Sequence, residues 1–446
     1  MALVAHDKRT INRLKRLHVV ETVSGLKSSL KASRWTTATN RYSTDTVAKL
    51  ETEIEAGGVP NRRDLSQYIA ASGLLHASDG WSYLGKALVA LLKGDPHRAI
   101  HLAYYAELRA ASSLLATEGI GVFNKYHFAL TARNVATELN TRHRTHRFLW
   151  ECLDHWATRP SSGQLFARMV RPYGITLEDW FVSVGGASAL APQAKAWFIQ
   201  WGIDLQNFPD DRHARNLSSY QPDGIPDAWY VDGRDSLEFS RDMWAVLEPS
   251  TLSRFENIDL SILRIALETL FTSRTGSKAN KDPAQFKKFV EPIVKSQGLS
   301  QSTEGQLLRF LLRGASPHDP LIFSRSQQAA PTGRVEVQAV ISRAALLLRV
   351  ASGSTTMLLK DAGYDAATIA FWAEGLGRGR GLWEGNAPGD PLDLWADISS
   401  LLADLESFQQ KYPADQQTFF RMGAELGQVL MGLGGCERVA IWSMTP

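Results

Sequence analysis

Cysteine is nearly absent. Cys152 and Cys436 are far apart and in no C-x-x-C. That excludes a disulfide framework and a cysteine-rich zinc module, and it fits a reducing compartment. Long apolar runs are also missing. None approaches the ~20 residues needed to cross a bilayer, and the greasiest segment is cut by Arg343 and Arg349. The opening M-A-L-V-A-H-D-K-R lacks the apolar core of a signal peptide. These absences predict a cytoplasmic protein with no membrane contact. The patterns G-x-x-x-x-G-K-S/T, H-E-x-x-H and G-x-S-x-G do not occur, which removes the commonest signals for nucleotide phosphates, zinc proteolysis and serine hydrolysis. No repeat of fixed period is present.

What is present is a globular composition. Hydrophobic residues make up 44% and aromatics 9% of 446 residues, with 13 Trp. The length predicts two or three domains. The overall charge of +3 is unevenly spread. Residues 1–50 hold ten Lys or Arg against three Asp or Glu, a net +7, which leaves −4 for the rest. Arg9, Arg13, Lys15 and Arg16 are the candidate phosphate contacts of this basic arm, so RNA or DNA is the partner class that the charge suggests.

The best organised stretch is Gly94–Leu130. Gly94 ends one helix, Asp95 caps the next and Pro96 takes its first position. Ile100, Tyr104, Leu108, Ala111 and Leu115 then recur at helical spacing, with Glu107 and Arg109 among them. His97, His101, Tyr104, Tyr105 and His127 offer acid–base groups in this region, histidine being the usual such residue near neutral pH.

Elsewhere the periodicity predicts a basic helix over 10–30 and an acidic one over 47–55. A helix over 65–76 is followed by a break at Ser78–Gly80 and another helix to Gly94. A helix from about Asn134 carries His143, His146, Cys152 and His155. Their spacing resembles a zinc set, but on one helix the outer two stand ~18 Å apart, too far for a single ion. No metal or cofactor site is predicted. Residues 160–163 and 375–389 read as loops, the latter Gly-rich with Arg378 and Arg380, and 207–233 as largely irregular. Val335–Val350 reads as a buried helix. Residues 324–333 read as a linker, and 438–442 as a strand or extended tail. The organisation expected is a basic arm (1–58), a helical domain (59–233) and a second helical domain (234–446). The fold class is mainly α, built of multi-helix bundles.

The segment A-Y-Y-A-E-L-R-A-A-S-S-L-L-A-T-E-G-I, with His127 six residues after Gly121, resembles HEPN-like helical domains, particularly the YaaC-like group, over about residues 60–225. The resemblance implies an all-helical bundle, often dimeric, in bacterial nucleic-acid-linked stress or antiviral defence. Some such domains bind or scaffold. Others are metal-independent RNases whose Arg, usually followed by a polar residue, is followed by a His after four to six intervening residues. The match here is R-N-L-S-S-Y, with Arg215, Asn216 and Tyr220, where Tyr220 stands at the His position. Tyrosine, with an ordinary pKa near 10, is a poor base at neutral pH. The degenerate motif favours binding or scaffolding, alone as a homo-oligomer or with a protein partner. An active RNase would need a histidine beside Arg215, with His127, His143 and His213 as candidates. A third alternative is a subunit of a multi-protein complex that makes no nucleic-acid contact. Literal Arg–His matches also occur at Arg13–His18 and Arg313–His318, about the number chance supplies.

Overall fold

The computed structural model describes residues 3–187, 190–221, 231–313, 319–327 and 335–446. The protein is mainly α with one small sheet. Helices α1 (Ala5–Arg13), α2 (Arg16–Ser24), α3 (Lys27–Lys31) and α4 (Thr46–Glu55) lead to the long pair α5 (Arg62–Leu92) and α6 (Pro96–Thr117). Strands β1 (Ile120–Phe123), β2 (Tyr126–Ala132) and β3 (Val135–Glu138) follow. Next come α7 (Thr145–Ala157), α8 (Pro160–Met169), α9 (Leu177–Trp180), α10 (Ala194–Gln200) and α11 (Phe208–Tyr220). The remaining helices are α12 (Gly233–Leu247), α13 (Glu256–Thr275), α14 (Pro283–Lys295), α15 (Gln301–Leu311), α16 (Leu321–Ser326), α17 (Val337–Asp361), α18 (Ala370–Arg380), α19 (Leu394–Lys411), α20 (Phe419–Leu433) and α21 (Glu437–Met444).

The centre is a hairpin of α5 and α6, with α17 packed against both. Asn61 caps α5 by accepting from Asp64 N (3.0 Å), and Asp95 caps α6 by accepting from Arg98 N (3.0 Å). Gly94, at φ +71°, makes the reversal between them. Helix α17 is buried along nearly its whole length, with Arg343 and Arg349 the buried charges on it. Around this trio, α2, α12, α20 and α21 pack on α5, and α7 and α11 pack on α6. The hydrophobic core runs continuously from Leu3 to Met444.

Several expectations are corrected. No break occurs at Ser78–Gly80; α5 runs through it. A Cβ on Gly80 would lie 2.5 Å from Leu348 and 3.4 Å from the Ala106 carbonyl. The glycine is there for close helix approach, which outweighs its weak helix propensity of about 1 kcal/mol. The helix expected from Asn134 begins only at Thr145; Val135–Glu138 is instead the last strand of an antiparallel meander, β1-β2-β3, turning at Asn124 (φ +44°) and Asn134 (φ +57°). His143 therefore precedes α7. The single helix over 10–30 is three helices, parted by extended backbone at Leu14–Lys15 and by a turn at Gly25–Leu26.

Residues 160–163 open α8, with Pro160 in its first turn, where a missing N–H is tolerated. Residues 208–220 form α11, also with a proline in the first turn, and Pro222 lies outside the described residues. Residues 375–380 belong to α18, which stops at Gly381 (φ +66°). Residues 438–442 lie in α21; a short apolar run suits a buried helix as well as a strand.

The first residues are docked on the body. Leu3, Ile11, Leu14 and Val19 are buried. The buried Asp7 accepts from Asn140 N (2.9 Å), Thr141 N (2.7 Å) and Thr141 Oγ1 (2.6 Å).

Candidate functional site

Helix α6 presents His101, Tyr104 and Tyr105 on one face, as their three- and four-residue spacing requires. Against this face sit His146 from the first turn of α7 and Arg215 from α11. Trp150 of α7 stacks on Phe208 of α11, with ring centroids 4.0 Å apart and planes at 3°, which holds the two helices in register over α6. Arg215 Nη2 is 3.5 Å from His146 Nε2. Its guanidinium lies over the rings of Tyr104 (5.3 Å) and Tyr105 (5.5 Å), an arrangement that attracts a cation to the aromatic faces. Arg215 Nε is buried and donates to no described group. Neither Arg215 nor Arg212, one turn earlier, has a carboxylate partner among the described residues.

The tautomers follow from the network rather than from visible hydrogens. Arginine only donates, so His146 Nε2 faces it as a lone pair, and the imidazole is neutral with its proton on Nδ1. Nδ1 is 2.9 Å from Tyr104 Oη, to which it donates. Tyr104 Oη also receives Trp150 Nε1 at 3.5 Å. Burial, then the charges of Arg215 and Arg212, hold the His146 pKa below its ordinary 6.5. His101 Nδ1 is 2.9 Å from Ser219 Oγ, which donates to the Arg215 carbonyl (2.8 Å). His101 is thus a donor through Nδ1, and burial and Arg215 lower its pKa too. Burial pushes the Tyr104 hydroxyl up to about 12, so it stays protonated at neutral pH.

Beneath this cluster lies a buried ionic triad. Arg343 of α17 holds Asp211 of α11 through two bonds, Nε–Oδ2 at 2.9 Å and Nη2–Oδ1 at 2.6 Å. Glu107 of α6 is fully buried with its Oε1 3.7 Å from Arg343 Nε. No described donor reaches either Glu107 oxygen, so Glu107 meets Asp211 by a side-chain hydrogen bond as the protonated acid. Burial first, and the Asp211 charge second, push its carboxyl well above the usual range. A neutral Glu107 leaves one cation against one anion, so the triad carries no net charge.

The structure brings together only part of the set read from sequence. Arg215 lies at the cluster, whereas Asn216, partly exposed on α11, makes no described side-chain contact with it. Tyr220, 80% exposed at the end of α11, points to solvent. His127 is fully buried, stacked on Phe148 at 3.5 Å, and its Nε2 donates to the His143 carbonyl (2.8 Å). His143 pairs with Glu151 (2.8 Å), and His213 is exposed. The histidine beside Arg215 is His146, which the sequence reading placed in the zinc-like series. Of the basic arm, Arg9, Arg13 and Lys15 are exposed, whereas Arg16 turns inward to Glu118 Oε1 and Ser354 Oγ, both at 2.9 Å. Arg13 ends α1 while His18 lies in α2, and His318 is outside the described residues. No family model matches this chain, and no curated protein or solved structure does so either.

Proposed function

We propose that this protein binds single-stranded RNA at the Arg215–His146 cluster, within the nucleic-acid-linked stress or defence role that the HEPN-like resemblance implies, as a homo-oligomer or with a protein partner. The observation that carries the reading is an arginine with no carboxylate partner, held by two tyrosine rings against a neutral histidine. Arg215 and Arg212 supply charge for phosphates, and Tyr105, half-buried at the edge, supplies a ring on which a base can stack. The test is fluorescence anisotropy with a labelled single-stranded RNA across a salt series. Affinity falls with salt because phosphate contacts release counterions, and Arg215→Ala reduces the slope by about 0.7, the share of one contact on a single strand. A salt-independent or unmeasurable interaction refutes it.

Cleavage is a second reading, favoured by His146 Nε2, a neutral nitrogen 3.5 Å from Arg215 whose lone pair becomes free as a base when Arg215 turns to a phosphate. The 2′-hydroxyl gives its proton to Nε2 and the 2′-oxygen bonds to phosphorus. The P–O5′ bond then breaks, leaving a 2′,3′-cyclic phosphate and a 5′-oxygen that takes a proton from water, and the hydroxide so formed takes the proton back from His146. Tyr104 keeps Nε2 pointed outward, and Arg215 stabilises charge on the phosphoryl oxygens. RNA breakdown in EDTA that is lost in both Arg215→Ala and His146→Ala supports this chemistry. Binding without breakdown leaves the binding reading alone.

A further inference from the structure

A second polar cavity, sharing no residue with the Arg215 cluster, lies where the end of α8, the loop before α13 and the last turns of α17 meet. Its volume is about 330 Å³, the scale of a small-ligand site. Four cations ring it: Arg168 from the last turn of α8, Arg171 just after it, Arg254 from the loop and Lys360 from α17. None has a carboxylate partner among the described residues. Arg171 uses Nε on the Arg168 carbonyl (2.9 Å). Of the two carboxylates in the wall, Asp259 is bound by the buried Arg349, Nε–Oδ1 at 2.9 Å and Nη2–Oδ2 at 2.8 Å, and Asp361 stands exposed at the rim.

The inner wall also holds unspent donors. Arg349 is 3% exposed and lines the cavity. Its Nη2 also donates to the Met169 carbonyl (2.9 Å), whereas Nη1 donates to no described group. Gly353 makes room for that nitrogen: a Cβ there would come within 2.6 Å of Nη1. Ser443 also lines the cavity, and its buried Oγ has no partner among the described residues. Burial first, then the charges of Arg171 and Arg254, lower the Lys360 pKa, as cations converging on one cavity do.

We propose that this cavity binds a small organic phosphate, such as a nucleotide, carrying two or more negative charges. Arginine dominates the ring, and its planar fork matches phosphate oxygens two at a time. Cations converging from three separate elements also mean that one ligand would tie α8, the loop and α17 together.

The test is thermal unfolding of the full chain with inorganic pyrophosphate, a nucleoside diphosphate and citrate, at matched ionic strength. Pyrophosphate or the diphosphate at a hundredfold excess over Kd raises the melting temperature by about 3 °C. The rise disappears in Arg254→Ala/Lys360→Ala, whose side chains lie at the rim, and persists in Arg215→Ala, which separates this site from the RNA reading. No rise with either phosphate overturns the proposal, as does a rise that the double variant keeps. An equal rise with citrate overturns the phosphate assignment. Inert phosphates, with RNA affinity lost in the double variant, would make the ring part of a nucleic-acid surface instead.

Discussion

Arg215 and His146 lie 69 residues apart in the chain, yet Nη2 of one is 3.5 Å from Nε2 of the other. Three elements produce that meeting. The β-meander returns the chain so that α7 starts beside α6, Trp150 on Phe208 brings in α11, and Tyr104 fixes the imidazole from below. Because the contact requires a neutral imidazole, it carries its own pH dependence. It lasts while His146 is unprotonated and ends as pH falls through a pKa held below 6.5.

Tyr104→Phe keeps the ring under Arg215 but removes the oxygen that holds His146 Nδ1. The freed imidazole swings toward solvent and its pKa returns toward the ordinary value. RNA affinity or cleavage then falls about tenfold at neutral pH, a loss of about 1.4 kcal/mol, typical of one net hydrogen bond. The acid limb of the pH profile moves to higher pH. A pH series on wild type, Tyr104→Phe and His146→Gln reads this directly. Identical profiles for wild type and Tyr104→Phe would mean that Tyr104 does not position the base.

The helical class and the capped start of α6 were legible because caps and apolar spacing act locally. The meander was not. Its strands alternate weakly, and its turns rest on asparagines whose positive φ leaves no mark in composition. The continuity of α5 was hidden for another reason. Glycine at 80 reads as a breaker until Leu348 and the Ala106 carbonyl are found against it. At the candidate site, Arg215 came from the motif, but the histidine beside it did not. The sequence offered His127, His143 and His213, and only the fold separates the buried, the ion-paired and the exposed from His146. Glu107 and Arg343 were visible as charges in apolar helices. Their common partner, Asp211, came from a stretch that read as irregular.

Gly85 of α5 lies against the turn before α21, where a Cβ would be 1.9 Å from the Gly434 carbonyl oxygen. Backbone on the far side cannot rotate away as a side chain can. Gly85→Ala is therefore expected to destabilise the protein by about 2–3 kcal/mol despite alanine's better helix propensity. Urea unfolding measures the difference. A variant as stable as wild type would show that the last helices move away freely.

The Arg349–Asp259 pair ties α17 to α13, and Asp259 also accepts from Arg171 N (2.8 Å). Asp259→Ala leaves a buried guanidinium uncompensated and loses about 3–5 kcal/mol. The double change Arg349→Met/Asp259→Leu removes both charges and recovers most of that loss. A double-mutant cycle in urea checks the pair. Additive losses would show that the two charges do not depend on each other for burial.

Glu107 gives the opposite sign. Its folded pKa is raised above the ordinary 4.5, by burial first and Asp211 second. Between those two values the folded chain binds a proton that the unfolded chain has released. Its contribution to stability is therefore full below about pH 4.5 and declines as pH rises toward the folded pKa. Glu107→Gln has the shape of the protonated acid and no charge to release, so its stability lacks this term. Relative to wild type it should gain steadily above pH 4.5, with the gap widest at alkaline pH. Glu107→Ala instead leaves a cavity beside the Arg343–Asp211 pair and is expected to lose about 2–4 kcal/mol at every pH. Urea unfolding of the three proteins from pH 5 to 9 separates the cases. A Gln variant that is less stable than wild type by a constant amount would mean that Glu107 is ionised in the folded protein and that Arg343 serves two anions.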